Sequence, residues 1–142
     1  MKTATVLTAS TVLVLSLVNT ALAPGAAAAP AARPAVPNVV PLADNDNGRT
    51  VTASVGDQVS VRLGGTTGVG EKWVWDVPKA SSADVLSRVV GGTTPSGDGQ
   101  AVFVAAGIGA SAITAHEQCV VTSPGMQCPH GVKVWQVTVS VQ

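Results

Sequence analysis

The chain has 142 residues, and eight Lys and Arg balance eight Asp and Glu, so its formal net charge is zero. This length accommodates one domain. Zero net charge argues against a nucleic-acid-binding protein, which usually carries a basic surface, and it provides no attraction to anionic membranes. Charged residues make up only 11% of the chain, which disfavours a helical protein with charge-rich exposed helix faces.

The first 29 residues have the organisation of a secretory signal peptide. Lys2 supplies the positive charge, an apolar stretch covers residues 6–18, and Ala21–Ala23 has the small-x-small pattern of a cleavage site. Polar residues interrupt the apolar stretch, which is too short for a membrane span. We therefore expect cleavage between residues 23 and 29, and a secreted protein that is not attached to a membrane afterwards.

Residues 30–43 belong to a segment rich in Ala and Pro. Proline has no amide hydrogen and alanine has little apolar area to bury, so we expect a disordered spacer. The remaining residues, 44–142, are predicted to form the folded domain. A domain of this size can bury a core without a partner, and we expect a monomer.

Apolar and polar residues alternate with a period of two in the folded region, which is the pattern of half-buried strands. The predicted strands are residues 51–55, 59–63, 73–77, 85–90, 101–105, 110–116 and 132–141. In the fifth strand either Ala101 and Phe103 or their neighbours Val102 and Val104 face the core. Because no segment shows a period of 3.6, we expect an all-β protein, an immunoglobulin-like antiparallel β-sandwich of about seven strands.

Two cysteines, Cys119 and Cys128, flank a loop between the last two predicted strands. In a secreted chain such a pair favours a disulfide, and the loop that it closes has either a binding role or a purely stabilising one. A zinc site is the alternative, because His116 and His130 stand just outside the two cysteines. Secretion favours the disulfide.

Motifs of catalysis are absent from the sequence, which has no Gly-x-Ser-x-Gly, no His-Glu-x-x-His and no P-loop. Gly107–Ala112 superficially matches a dinucleotide-binding fingerprint, but a strand pattern follows it instead of a helix. Asp44–Gly48 resembles a calcium loop, but its Gly comes one position early and no Glu closes it. We expect His116 and His130 to be surface residues of a protein that is not an enzyme and holds no metal or cofactor.

Several segments occur in an order known from one family. They are Thr50–Leu63, then Thr66-Thr67-Gly68 with Trp73 close behind, then Phe103–Gly107, and finally an apolar strand. In this layout residues 48–142 resemble the chagasin-like inhibitors of papain-type cysteine proteases. The resemblance implies an immunoglobulin-like sandwich in which three loops at one end enter a protease cleft. Here these loops correspond to residues 64–72, 91–100 and 117–131.

The loops depart from the motifs of that family. Gly64-Gly65 stand where the family has Asn-Pro, and Val69 stands where it has an aromatic residue. In the third loop the family has Arg-Pro-Trp, whereas this chain has Glu117-Gln118-Cys119. Only Thr66-Thr67-Gly68 matches the family residue by residue.

The sequence therefore predicts a secreted, inhibitor-like binding protein that occludes the cleft of a protein partner, a papain-like cysteine protease, with loops at one end of the sandwich. The predicted binding residues are Thr66, Thr67, Gly68, Gly97, Gly99, Pro124 and Gly125. The alternative is a structural or adhesion module at the cell surface without inhibitory activity, which the missing motifs and the spacer favour.

Overall fold

The computed structural model describes residues 34–142 and, before them, only residue 25 and residues 28–31. The predicted signal peptide lies almost entirely outside the described residues. Residues 34–142 form one unit. Within the described part of the chain, no helix has the length and hydropathy needed to cross a membrane.

Ten strands make up the architecture of the described residues. They are β1 (Val39–Leu42), β2 (Thr50–Ala53), β3 (Gln58–Leu63), β4 (Thr66–Thr67), β5 (Glu71–Trp75), β6 (Lys79–Ala80), β7 (Leu86–Thr93), β8 (Gly99–Ala105), β9 (Gly109–Val121) and β10 (Val132–Val141). One sheet has the order β1-β3-β8-β7, and the other has the order β2-β10-β9-β5-β4, with β6 also pairing with β9. The two sheets form the predicted immunoglobulin-like β-sandwich.

The core between the sheets is built from one face of each long strand, as the period-two alternation predicts. In β8 the choice that the sequence left open is resolved, because Ala101, Phe103 and Ala105 are buried and their neighbours are only half-buried. The other buried apolar residues are Leu42, Ala53, Val59, Val61, Leu63, Trp75, Leu86, Ile113, Ala115, Trp135, Val137, Val139 and Val141.

The first strand lies inside the predicted spacer, which therefore ends earlier than residue 43. Leu42 of β1 is buried in the core, and Val40 packs against it. Pro41 sits in this strand because β1 is at the edge of its sheet, where a missing amide hydrogen is tolerated. With one buried residue beside a proline, β1 is too short to show a recognisable alternation. The two-residue strands β4 and β6 were not predicted because they are shorter still.

Two strand pairs are parallel, whereas the sequence predicts an antiparallel sandwich. β1 pairs with β3, and β2 pairs with β10. These partners are far apart in the chain, so no tight hairpin imposes an antiparallel direction. The short 3-10 turn Asp44–Asp46 carries the chain from one sheet to the other. Asp46 holds this turn by accepting a hydrogen bond from the amide of Ala43 (2.8 Å) and pairing with Arg49 (2.7 Å).

We predict that Leu42→Ala lowers the free energy of unfolding by about 2–5 kcal/mol, because it leaves a cavity in the core. Val39→Ala, a change at an exposed position of the same strand, should change it by less than about 0.5 kcal/mol. Urea unfolding of both variants measures the difference. Equal and small effects would show that β1 is not part of the cooperative domain.

Candidate binding site

The three loops implied by the sequence lie at one end of the sandwich. The structure bounds them as loop 1 (residues 64–70), loop 2 (residues 94–98) and loop 3 (residues 122–131). Leu63 at the end of β3 pairs with Gly99 at the start of β8, and Gly99 pairs with Thr93 at the end of β7. In the other sheet Glu71, which begins β5, pairs with Val121, which ends β9. Each loop is shorter than predicted because β5, β7 and β9 extend into it.

Loop 1 is a narrow hairpin. Its strand β4, Thr66–Thr67, pairs with Trp73 and Lys72 of β5. The amide of Gly68 donates a hydrogen bond to the carbonyl oxygen of Glu71 (2.9 Å), which leaves Val69 and Gly70 as the turn. The predicted binding residues of this loop are exposed. Val69 is 91% exposed and forms the tip.

Loop 2 is organised by Asp98. One carboxylate oxygen accepts a hydrogen bond from the amide of Gly65 in loop 1 (2.9 Å). The other accepts hydrogen bonds from the hydroxyls of Ser96 (2.7 Å) and Thr94 (2.9 Å). These hydrogen bonds, that of Ser96 foremost, favour the ionised carboxylate and hold the pKa of Asp98 below its usual range. Asp98, which the sequence did not single out, therefore joins the first two loops.

Gly97 and Gly99, which the sequence predicts as binding residues, are buried at the base of loop 2. A Cβ atom on Gly99 would lie 2.6 Å from the carbonyl oxygen of Asp76, and one on Gly97 would lie 2.9 Å from that of Trp73. The carbonyl oxygen of Gly97 accepts a hydrogen bond from the amide of Trp75 (2.8 Å). Both glycines thus bring the backbone of loop 2 into contact with β5 and are not part of the exposed surface.

Loop 3 is closed by the predicted disulfide between Cys119 and Cys128, whose Cα atoms are 5.7 Å apart. Sulfur atoms in a disulfide are not thiolates, so the alternative zinc site is wrong. Among the described residues no three His, Cys, Asp or Glu side chains are grouped as a metal ion would require. The predicted binding residues Pro124 and Gly125 are exposed within this closed loop.

Beneath loop 3 a charged pair lies against an aromatic ring. Glu117 is only 4% exposed, and its carboxylate is 3.0 Å from the ammonium group of Lys133 on β10. The same ammonium group lies 4.6 Å from the ring centroid of Trp73, within the range of a cation–π contact. The sequence placed Glu117 in the loop, but β9 extends past it and the alternation that buries Ile113 and Ala115 also buries Glu117.

Neither histidine is buried: His116 lies on β9 and His130 lies in loop 3. His116 is half-buried on β9, where its Nδ1 lies 3.2 Å from a carboxylate oxygen of Asp76 and its amide donates to the other oxygen (2.8 Å). Asp76 therefore ties the end of β5 to β9. His130 is exposed in loop 3.

No protein-family model and no curated protein matches the chain. Solved structures do match. The cysteine protease inhibitor EhICP2 from Entamoeba histolytica matches with a TM-score of 0.53 and 12% identity, over 74% of this chain and 96% of that one. PbICP-C, solved in complex with falcipain-2, matches with a TM-score of 0.45 and 18% identity, over 74% and 99%. Amebosin matches with a TM-score of 0.42 and 18% identity, over 75% and 100%.

At 12% identity the likeness to EhICP2 concerns the fold. The protein is therefore an immunoglobulin-like β-sandwich of the kind seen in a cysteine protease inhibitor. This agrees with the fold that the family resemblance of the sequence implies.

We predict that Gly99→Ala lowers the free energy of unfolding by about 1–3 kcal/mol, because the added methyl group has no space beside the backbone of Asp76. The matched control is Gly92→Ala on the neighbouring strand, where a Cβ atom meets nothing within 4 Å. That variant should be unchanged within about 0.5 kcal/mol. Equal effects in thermal or urea unfolding would contradict the close contact between loop 2 and β5.

We predict that Asp98 contributes stability that depends on pH. Because the pKa of Asp98 is lowered in the folded chain, its contribution is fully present above the pKa of an unfolded aspartate, about 4. It is lost as the pH falls through the lowered pKa of the folded state. Asp98→Asn should therefore be less stable than the wild type at pH 7, and the difference should shrink below about pH 4. A difference that stays constant down to pH 2 would contradict this role.

Proposed function

We propose that the protein is a secreted, non-enzymatic inhibitor of papain-type cysteine proteases that acts by inserting loops 1 and 3 into the protease cleft. The observation that carries this proposal is the joining of three loops at one end of the sandwich. Gly65 connects loop 1 to loop 2 through Asp98, and Gly70 connects loop 1 to loop 3 through the amide of Thr122 (2.9 Å). These two hydrogen bonds connect the three loops to one another, which supports their acting as one surface.

The chemistry of the loop tips suits occlusion of a cleft. Thr66, Thr67, Gly68, Val69 and Pro124 are all exposed and uncharged. Such a surface offers shape, apolar contact and backbone hydrogen bonds, which are the means by which proteins fill a groove. No reactive group is needed, because a blocked cleft excludes substrate. This is consistent with a chain whose formal net charge is zero, so that no net charge attracts a partner over long range.

Secretion and a monomeric state are part of the proposal. The disulfide supports an oxidising compartment, because cytosolic thiols are kept reduced. The first 29 residues would serve as the cleaved signal peptide, and the exposed residues 34–38 would precede the domain in the secreted chain. The inhibitor would require no cofactor or metal.

We predict that the protein inhibits papain-type proteases at micromolar concentrations or below. The proteases should first be activated with a thiol and then freed of it, because a thiol would also open the Cys119–Cys128 bridge by exchange. Hydrolysis of a fluorogenic peptide is then measured against a series of inhibitor concentrations. Absence of inhibition at micromolar protein with the bridge intact would overturn the proposal.

A pair of matched variants locates the contact. Thr67→Arg places a long charged side chain on loop 1, and we expect the inhibition constant to rise at least about tenfold, a loss of about 1.4 kcal/mol of binding free energy. The control is Thr52→Arg on β2, since Thr52 is exposed and pairs with Ser140 near the opposite end of β10. This control should inhibit like the wild type. Equal effects of the two changes would place the contact elsewhere.

A structural or adhesion module at the cell surface is the second candidate. The absence of the Asn-Pro, aromatic and Arg-Pro-Trp residues of the inhibitor family favours it. So do residues 34–38, which are all exposed and contain Pro34 and Pro37, as expected of a stalk. Failure to inhibit, together with release of the protein from the cell surface only after proteolysis of the Ala/Pro segment, would support this candidate.

A further inference from the structure

Loop 3 holds the tip of loop 1 at Gly70. The amide of Thr122 donates a hydrogen bond to the carbonyl oxygen of Gly70 (2.9 Å). The side chain of Met126 packs against the same residue. It fills the position that a side chain of residue 70 would occupy, since a Cβ atom on Gly70 would lie 2.6 Å from Met126 Cγ. One residue of loop 1 is thus contacted by two residues of loop 3.

Gly70 determines how Val69 is presented. Gly70 follows Val69 in the turn. Its backbone φ is +76°, a value that residues other than glycine rarely adopt. Val69 is 91% exposed, so its own side chain contributes little to holding the turn. What fixes the turn is the hydrogen bond between Gly68 and Glu71, together with the contact from loop 3.

Loop 3 has little internal structure with which to keep Met126 in place. Within it, the backbone bond from the amide of Met126 to the carbonyl oxygen of Ser123 is long, at 3.4 Å. Met126 is 42% exposed, so burial alone does not hold it. Cys128, two residues later, is covalently tied to Cys119 on β9. The disulfide therefore limits how far Met126 can move from Gly70.

We propose that the Cys119–Cys128 disulfide, acting through Met126, positions the Val69 tip of loop 1 and so prepares the binding surface before a partner arrives. A loop that is ordered beforehand loses less conformational entropy on binding, which improves affinity without a new contact. The consequence for inhibition rests on the proposed function. The consequence for the order of loop 1 in the free protein does not.

The test compares four variants with the wild type: Met126→Ser, Met126→Leu, Gln127→Ser and the double variant Cys119→Ser/Cys128→Ser. Two readouts are measured: hydrogen exchange of the Gly68 and Thr122 amides, and the inhibition constant for a papain-type protease. Met126→Ser removes the cover over Gly70 and should speed exchange of both amides and weaken inhibition, each about five- to tenfold. Leucine has nearly the volume of methionine, so Met126→Leu should restore both readouts.

The remaining variants separate this role from general destabilisation. Gln127→Ser changes an exposed neighbour in the same loop and should leave both readouts unchanged. The double serine variant should speed exchange of both amides at least as much as Met126→Ser, while amides of β8 in the other sheet stay protected. If the double variant fails to fold, Met126→Ser, whose bridge is intact, still tests the contact at Gly70, and exchange of the same two amides in the wild type before and after mild reduction tests the bridge.

Unchanged exchange of Gly68 and Thr122 in Met126→Ser would overturn the inference, whatever the inhibition assay shows. Faster exchange in that variant, with a wild type that does not inhibit, would leave the positioning role standing and overturn the proposed function alone. Faster exchange with undiminished inhibition would show that loop 1 order does not limit binding, and would overturn the consequence for the partner.

Discussion

The end of the sandwich that carries the three loops depends on direct backbone contact between loops 1 and 2 and strand β5. Cβ atoms built on Gly65 and Gly97 would lie 2.8 and 2.9 Å from the carbonyl oxygen of Trp73, and one built on Gly99 would lie 2.7 Å from Cβ of Trp75. Because these three glycines have no side chains, loops 1 and 2 and the start of β8 can pack directly against the backbone of β5. Asp98 can reach the amide of Gly65 only because the two loops are this close.

Two different kinds of contact hold loop 1, one at its base and one at its tip. At its base, Gly65 is fixed by backbone packing and by the carboxylate of Asp98, which are non-covalent and, for the carboxylate, dependent on pH. At its tip, Gly70 is fixed by loop 3, whose own position depends on the Cys119–Cys128 bridge. Acid acts on the first support through Asp98, and a reducing agent acts on the second. The two ends of the same hairpin are thus sensitive to different conditions.

Long strands with one buried face were predictable, because alternation in residues 59–63 and 132–141 reports burial directly. The edges were not. Val89 and Val90 lie in the predicted strand 85–90, yet both are exposed on the edge strand β7, where a bulge between Arg88 and Val90 interrupts the register with β8. In the site, glycine was ambiguous for a physical reason. A glycine in a loop can form part of an exposed turn, as Gly68 does, or allow a close backbone contact, as Gly99 does. Only the residues that pack against the loop in three dimensions distinguish the two cases.

The missing family motifs have a structural counterpart in this chain. Where the family has Pro, Gly65 donates its amide to Asp98 (2.9 Å), and a Cβ atom there would lie 2.6 Å from the backbone of Gly97. Proline has no amide hydrogen and a bulkier ring, so this loop 1–loop 2 contact and the family motif exclude each other. In the third loop a disulfide stands near the place of Arg-Pro-Trp. In this chain, contacts other than those motifs therefore hold loops 1 and 3 in place.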